Sequence, residues 1–159
     1  MAKSGAKGDA PKGPATISNR RARYDYEIID TYEAGLVLHG SEAKSCFLGR
    51  VNLTDSYAQI KSNEMWVMEM DVEPYSHASN FVPERRRTRK LLLHRKEIEM
   101  IERRSMEKGF AIIPLKLYFK NGRVKLEIGL GRGKREYDKR EAIQAKDSRR
   151  ERDEIRKLR

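Results

Sequence analysis

The chain has 159 residues, a single cysteine and a formal net charge of +11. That length holds one domain with extensions, one thiol excludes an internal disulfide, and no apolar run is long enough to span a bilayer. The charge sits at the ends: residues 1–23 carry +5, residues 132–159 carry +5, and residues 24–131 only +1. A nearly neutral middle folds without much self-repulsion, while cationic ends reach toward a polyanion.

Residues 1–16 are rich in Gly, Ala, Pro and Lys and cannot bury enough apolar surface to offset their ordering entropy, so a disordered extension is expected. Lys3, Lys7 and Lys12 have no apolar stretch behind them, which argues against a secretory signal and for a cytoplasmic protein. Asn19, Arg20, Arg21 and Arg23 form a basic run. Tyr24, Tyr26 and Ile28 then alternate with Asp25, Glu27 and Ile29, predicting a strand whose partner is Leu36 to His39, with Gly35 at a bulge. Ser41 suits the N-cap of a short helix through Leu48, with Glu42 in its first turn and Gly49 at its end. Ser56 to Lys61 and Met65 to Val72 predict a hairpin across Ser62 and Asn63, with Trp66, Met68 and Met70 on one face. A loop between Pro74 and Pro83 leads to Arg85, Arg86, Arg87, Arg89 and Lys90, and Leu91, Leu92 and Leu93 return to the core. Residues 95–108 read as a helix with Ile98 and Ile101 inward and Gly109 beyond it.

Lys120-Asn121-Gly122-Arg123 is a strong type I′ signal. A two-residue loop sets Phe119 against Val124, Leu117 against Leu126, Leu115 against Ile128 and Lys116 against Glu127, one face apolar and the other wet. Gly131 and Gly133 then make residues 131–140 a hinge. From Asp138 to Arg159 the composition favours helix, yet Ile143, Ile155 and Leu158 are its only large apolar residues. The tail is therefore expected to be disordered when free and helical in a polyanionic channel. The fold expected is mainly β: a small antiparallel OB-like barrel over residues 17–133, flanked by short helices, with a basic tail over 134–159.

Catalytic signals are few. Cys46 lies in no redox or metal motif, and His39, His77 and His94 are far apart in sequence. Glu33, Glu42 and Asp55 are imaginable as a metal-binding nuclease cluster, but scattered carboxylates are usually solvated or paired. No enzyme activity, metal or cofactor is expected. Basic clusters at 20–23, 85–90 (with Lys90) and 132–140 (with Arg132, Lys134 and Arg135), accompanied by Tyr24, Tyr26, Tyr75 and Tyr137, favour RNA. Glu33 repels phosphate; a carboxylate there suits a base amino or imino group.

Asn19-Arg20-Arg21-Ala22-Arg23-Tyr24, Tyr32-Glu33-Ala34-Gly35, Gly40-Ser41-Glu42-Ala43-Lys44-Ser45, Asp55-Ser56-Tyr57-Ala58, Arg89-Lys90-Leu91-Leu92-Leu93-His94, Leu117-Tyr118 to Lys120-Asn121-Gly122, and Gly133-Lys134 with Tyr137-Asp138-Lys139-Arg140 occur in an order that resembles the SsrA-binding (small protein B) family. The resemblance spans about Ile17 to Arg140. It implies an OB-like barrel that binds the tRNA-like domain of transfer-messenger RNA in bacteria. With elongation factor Tu, joined through the RNA, such a protein delivers the charged RNA to stalled ribosomes for trans-translation. The resemblance implies RNA contacts at the Asn19–Tyr24 region, Glu33, Leu92 and Lys125, and a phosphate contact near Lys44. It also implies contacts of Tyr137, Asp138, Lys139 and Arg140, with the tail behind them, to small-subunit rRNA at the decoding centre. Ile155 is the apolar contact chosen for the message channel. The chain departs from the family at Cys46-Phe47, where Leu-Arg is common. A monomer with no membrane partner is expected. The alternatives are a constitutive ribosomal or general structured-RNA-binding protein, and the metal-dependent nuclease.

Overall fold

The computed structural model describes residues 13–78, 81–107, 109–134 and 136–158, with the side chains of 136–142 outside that description. In chain order the elements are β1 (Ile17–Ser18), α1 (Arg20–Asp25), β2 (Tyr26–Leu36), α2 (Gly40–Phe47), β3 (Val51–Asn52), β4 (Tyr57–Lys61), β5 (Glu64–Met68), β6 (Asp71–Val72), β7 (Arg89–Leu92), α3 (Arg95–Ser105), β8 (Phe110–Lys120), β9 (Arg123–Gly133) and α4 (Glu136–Lys157). The six strands β8-β4-β5-β7-β2-β9 pair in that order, and β9 pairs back to β8. Every pairing is antiparallel, so the sheet closes into a barrel and leaves few free edges. β1 adds to the outside of β8, and β3 pairs with β6 as a separate ribbon.

The barrel interior is filled from inward positions of these strands, among them Met65, Val67, Leu91, Leu117, Leu126 and Ile128. A second, smaller cluster joins Ala22 of α1 to Ile113 and Leu115 of β8. Both two-residue turns adopt left-handed angles: Asn121 and Gly122 at φ 52° and 72°, Ser62 and Asn63 at 54° and 60°. Those angles match the twist of the flanking strands. The β8–β9 register follows as expected through Phe119–Val124, Leu117–Leu126 and Lys116–Glu127.

Beyond that point the register slips by one, and Pro114, not Leu115, lies opposite Ile128. Proline has no N–H for the ladder, and a bulge is where a strand tolerates it. Leu115 is thereby released to the second cluster, and its carbonyl accepts the Asn19 N–H at 2.8 Å. Gly129 makes room for it, since a Cβ there would come within 2.7 Å of Leu115 Cδ1.

Other expectations are corrected. The alternation at 24–29 does not open a strand at Tyr24: the Asn19 side chain accepts from Ala22 N and starts α1, which carries Tyr24. The expected hairpin to Leu36–His39 is instead one eleven-residue strand, β2, which Gly35 does not interrupt. His39, not Ser41, is the N-cap of α2, where its N–H donates to the Glu42 carboxylate at 3.0 Å. Glu69 has φ 58°, which breaks the period of two. Met70 therefore joins Met65 and Val67 in the core, leaving Trp66 and Met68 half-buried. β9 continues to Gly133, and Gly131 serves as a close-packing position against Tyr26 and Ile28, so the barrel has no hinge before Lys134.

The tail, expected to be disordered when free, is the single helix α4. It contains no Gly or Pro, and Arg149, Asp153 and Lys157 stand one turn apart. Of the extension expected over 1–16, residues 1–12 lie outside the described residues, and Ala15 N–H donates to the Phe47 carbonyl at 3.1 Å.

Candidate nucleic-acid interface

The pairings that close the barrel put four residues in one row across its outer face. Leu92 of β7 lies opposite Gly35 of β2, Gly35 opposite Lys125 of β9, and Lys125 opposite Tyr118 of β8. Leu92 is 52% exposed, so the three leucines 91–93 do not all return to the core: Leu91 is buried and Leu92 faces out. Gly35 permits this, because a Cβ there would sit 3.2 Å from Leu92 Cβ. Lys90 faces outward two residues earlier and pairs with Glu64 at 3.0 Å.

Glu33 stands two residues before Gly35 on the same face. Its carboxylate accepts a hydrogen bond from the Tyr118 hydroxyl through Oε2, and Lys120 Nζ lies 3.5 Å from Oε1. The Tyr118 hydrogen bond, aided by Lys120 and Lys125, outweighs desolvation and holds the Glu33 carboxyl below its ordinary value. Burial, reinforced by Glu33, pushes the Tyr118 phenol up to about 12. Glu33 divides two pockets, one walled by Gly35, Leu92, His94 and Lys125, the other by Lys120, Asn121, Arg123 and Lys125. Tyr118, Lys120 and Arg123 were missed as candidate residues, although the turn at Asn121-Gly122 already sets Tyr118 opposite Lys125.

A second surface joins two basic segments more than a hundred residues apart. Lys134 Nζ donates to the Arg23 carbonyl at 3.0 Å and its N–H to the Asp25 carbonyl at 2.9 Å, placing positive charge at the C-terminal end of α1. The Arg132 guanidinium lies 5.0 Å from the Phe110 ring centroid. Arg20, Arg21 and Tyr24 are exposed on α1, with Arg21 3.4 Å from Asp25. Asn19 is different: it is buried, and its Nδ2 donates to the Leu53 and Pro114 carbonyls at 3.1 and 2.9 Å. With its oxygen capping α1, its side chain is committed to holding α1 and β8 together, beneath the exposed Arg20, Arg21 and Tyr24. Arg135, and the side chains of Tyr137, Asp138, Lys139 and Arg140, lie outside the described residues. Ile155 is exposed on α4.

Lys44 belongs to neither surface: on α2, its Nζ lies 5.2 Å from the Tyr75 ring centroid. The 85–90 run is largely engaged within the fold, its five cations meeting four carboxylates. Arg85 pairs with Asp71, Arg86 with Glu69, Arg87 and Arg89 with Glu42, and Lys90 with Glu64. Arg89 is fully buried, donating to the Met70 carbonyl at 2.7 Å and the Arg85 carbonyl at 3.0 Å, so it ties the 73–88 loop to the barrel. Burial works to raise the Glu42 pKa, but hydrogen bonds from Arg87, His39 N–H and Arg89 outweigh it and leave it lowered. Glu42 is thus committed to arginines, and among the described residues no three His, Cys, Asp or Glu side chains converge on a metal position. No described helix is long and apolar enough to cross a membrane.

A protein-family model described as "SmpB protein" matches residues 16–158. The chain belongs to the SmpB family. It is 52% identical over 148 residues to the SsrA-binding protein of Thermobifida fusca, covering 91% of each chain. It is 48% identical to that of Bacillus subtilis, covering 89% of this chain and 92% of the other. Among solved structures it resembles one described as "tmRNA-SmpB: a journey to the center of the bacterial ribosome". The TM-score is 0.66 at 42% identity, covering 80% of this chain and 94% of that one. SmpB membership agrees with the closed antiparallel barrel and its short flanking helices.

Proposed function

We propose that this chain is an RNA-binding adaptor. It binds the tRNA-like domain of transfer-messenger RNA and delivers that RNA to stalled ribosomes for trans-translation. The observation that carries the proposal is the outward Leu92–Gly35–Lys125 row with the oriented Glu33 carboxylate beside it, on a chain half identical to SsrA-binding proteins. An exposed leucine, a lysine and a fixed carboxylate on a rigid barrel suit a folded RNA whose unpaired bases offer faces and edges. Lys125 supplies phosphate affinity, Leu92 an apolar contact, and Glu33 a hydrogen-bond acceptor for bases.

The division of labour is by region. The barrel, residues 17–133, holds the RNA, with Arg20, Arg21, Tyr24, Arg132 and Lys134 extending the contact at the α1 end. The tail, residues 134–159, works on the ribosome, where Tyr137, Asp138, Lys139 and Arg140 meet small-subunit rRNA and Ile155 lies in the empty message channel. The protein acts as a monomer in the cytoplasm, performs no catalysis, and meets elongation factor Tu through the shared RNA. Lys44 and Lys90 contribute phosphate contacts secondary to their pairing with Tyr75 and Glu64.

The test compares the full chain's affinity for a tRNA-like fragment of transfer-messenger RNA and for an unrelated folded RNA of equal length, over a salt series. Non-specific affinity falls with salt in proportion to the phosphates contacted, with a logarithmic slope of about −0.7 to −0.9 per contact. A preference for the fragment that persists as salt rises is expected. If both affinities fall together, the protein is a general polyanion binder and a constitutive ribosomal role takes its place.

A further inference from the structure

The pocket at the tip of the β8–β9 hairpin encloses about 400 Å³ and is lined by Glu33, Lys120, Asn121, Arg123 and Lys125. Three cations alone would describe a phosphate site. A carboxylate in their midst contradicts that, since it repels phosphate. The carboxylate is also held from two sides, by the Tyr118 hydroxyl on Oε2 and by Lys120 Nζ at 3.5 Å from Oε1. An ionised carboxylate offers about four acceptor positions, so each oxygen keeps one for a ligand. What the pocket presents is therefore two adjacent acceptors with an ammonium donor beside them.

We propose that this hairpin-tip pocket binds one unpaired guanine of the RNA, with Tyr118 as the positioning residue that aims Glu33 at the base and Lys120 as the donor beside it. Guanine is the standard base whose Watson–Crick edge carries two adjacent donors, N1–H and the N2 amino group, next to an acceptor, O6. The two donors meet the Glu33 oxygens and O6 meets Lys120. Cytosine, adenine and uracil each have at most one donor on that edge and leave a carboxylate oxygen facing an acceptor. Arg123 and Lys125, on the walls, take the flanking phosphates. The lowered pKa of Glu33 keeps it an acceptor at neutral pH. The inference rests on the RNA-binding reading above and adds the base that is read and the residues that read it.

The experiment uses the full chain and the tRNA-like fragment, with each unpaired guanosine replaced in turn by inosine, which lacks only the N2 amino group. At one position the replacement is expected to weaken binding about tenfold, the size of one lost edge contact. Tyr118→Phe keeps the ring and the net charge. It is expected to bind guanosine and inosine forms alike while its salt slope stays that of the unmodified protein, a pattern that a merely structural role for Tyr118 would not produce. Lys120→Ala is expected to shrink the same discrimination and to flatten the salt slope. If no position shows an inosine penalty, or if Tyr118→Phe keeps the full penalty, the guanine pocket is wrong. A chain that binds the fragment no better than unrelated RNA overturns the functional reading itself, which is a separate outcome.

Discussion

Arg89 and Glu42 show how much one residue pair decides in this fold. Arg89 Nε donates to Glu42 at 2.7 Å, and both side chains are buried. Removing Glu42 strands the buried Arg89 charge away from water, which costs about 3–5 kcal/mol, whereas Glu42 without Arg89 still keeps Arg87. Glu42→Ala is therefore expected to lower stability by about that amount in denaturant titrations, and Arg89→Ala by less, because Arg87 still pairs with Glu42. The pH dependence has a definite sign. The folded-state pKa of Glu42 lies below its ordinary value of 4.5, so its contribution is fully present above that value and is lost as pH falls through the depressed folded value. Glu42→Gln removes that part of the acid unfolding limb, measurable by following unfolding below pH 5.

Gly35 makes a contrasting case, because its neighbour is an exposed side chain that can give way. Gly35→Ala pushes Leu92 by a few tenths of an ångström, so stability changes by less than about 1 kcal/mol. RNA affinity falls measurably in filter binding, because the row that carries Leu92 is disturbed. A variant that loses stability but keeps its affinity would contradict the role given to that row.

At the scale of elements, local chemistry was legible and long-range pairing was not. Asn121-Gly122 announces its hairpin because few residues tolerate φ > 0, and the register near the turn follows from that alone. Replacing Gly122, at φ 72°, with Ala is expected to cost about 1 kcal/mol in a thermal melt. The register slips seven residues from the turn, where Pro114 sits at a bulge, and at Tyr24 Asn19 starts a helix where alternation suggested a strand. The run from Arg85 to Lys90 looked like a phosphate site. Its acidic partners Glu42, Glu64, Glu69 and Asp71 come from separate segments, and no local pattern ties them to it. Glu33 stood out as a carboxylate among cations and Leu92 became a candidate through family likeness, and only the closed barrel puts them on one face.

α4 shows the limit of propensity from the other side. Its composition is enough for a helix, but it offers no broad apolar stripe, and among the described elements its most extensive approach is to α1. Deleting residues 136–159 should reduce the helical circular dichroism signal and leave the melting temperature of the barrel within about 2 °C. A large drop in that temperature would mean that the helix packs on the barrel.

For the whole molecule, the separation of charge matches the separation of tasks. Residues 24–131 are close to neutral and present shaped, oriented groups, whereas the cationic segments on either side suit reach and salt-sensitive attraction to a polyanion. The end of β9 is tied to α1 where Lys134 donates to the Arg23 and Asp25 carbonyls, so the chain enters the tail from a fixed point. RNA held on the Leu92 face and a helix leaving near α1 can then reach the ribosome as one unit. The central claim is that binding RNA and acting on the ribosome belong to different parts of the chain. The most direct measurement compares the full chain with a form ending at Lys134, in two assays on the same preparations. One is affinity for the tRNA-like fragment, the other peptide tagging by ribosomes stalled on a truncated message. The account predicts affinity within a few-fold of the full chain and tagging abolished. Affinity lost together with tagging would contradict it, and so would tagging that survives without the tail.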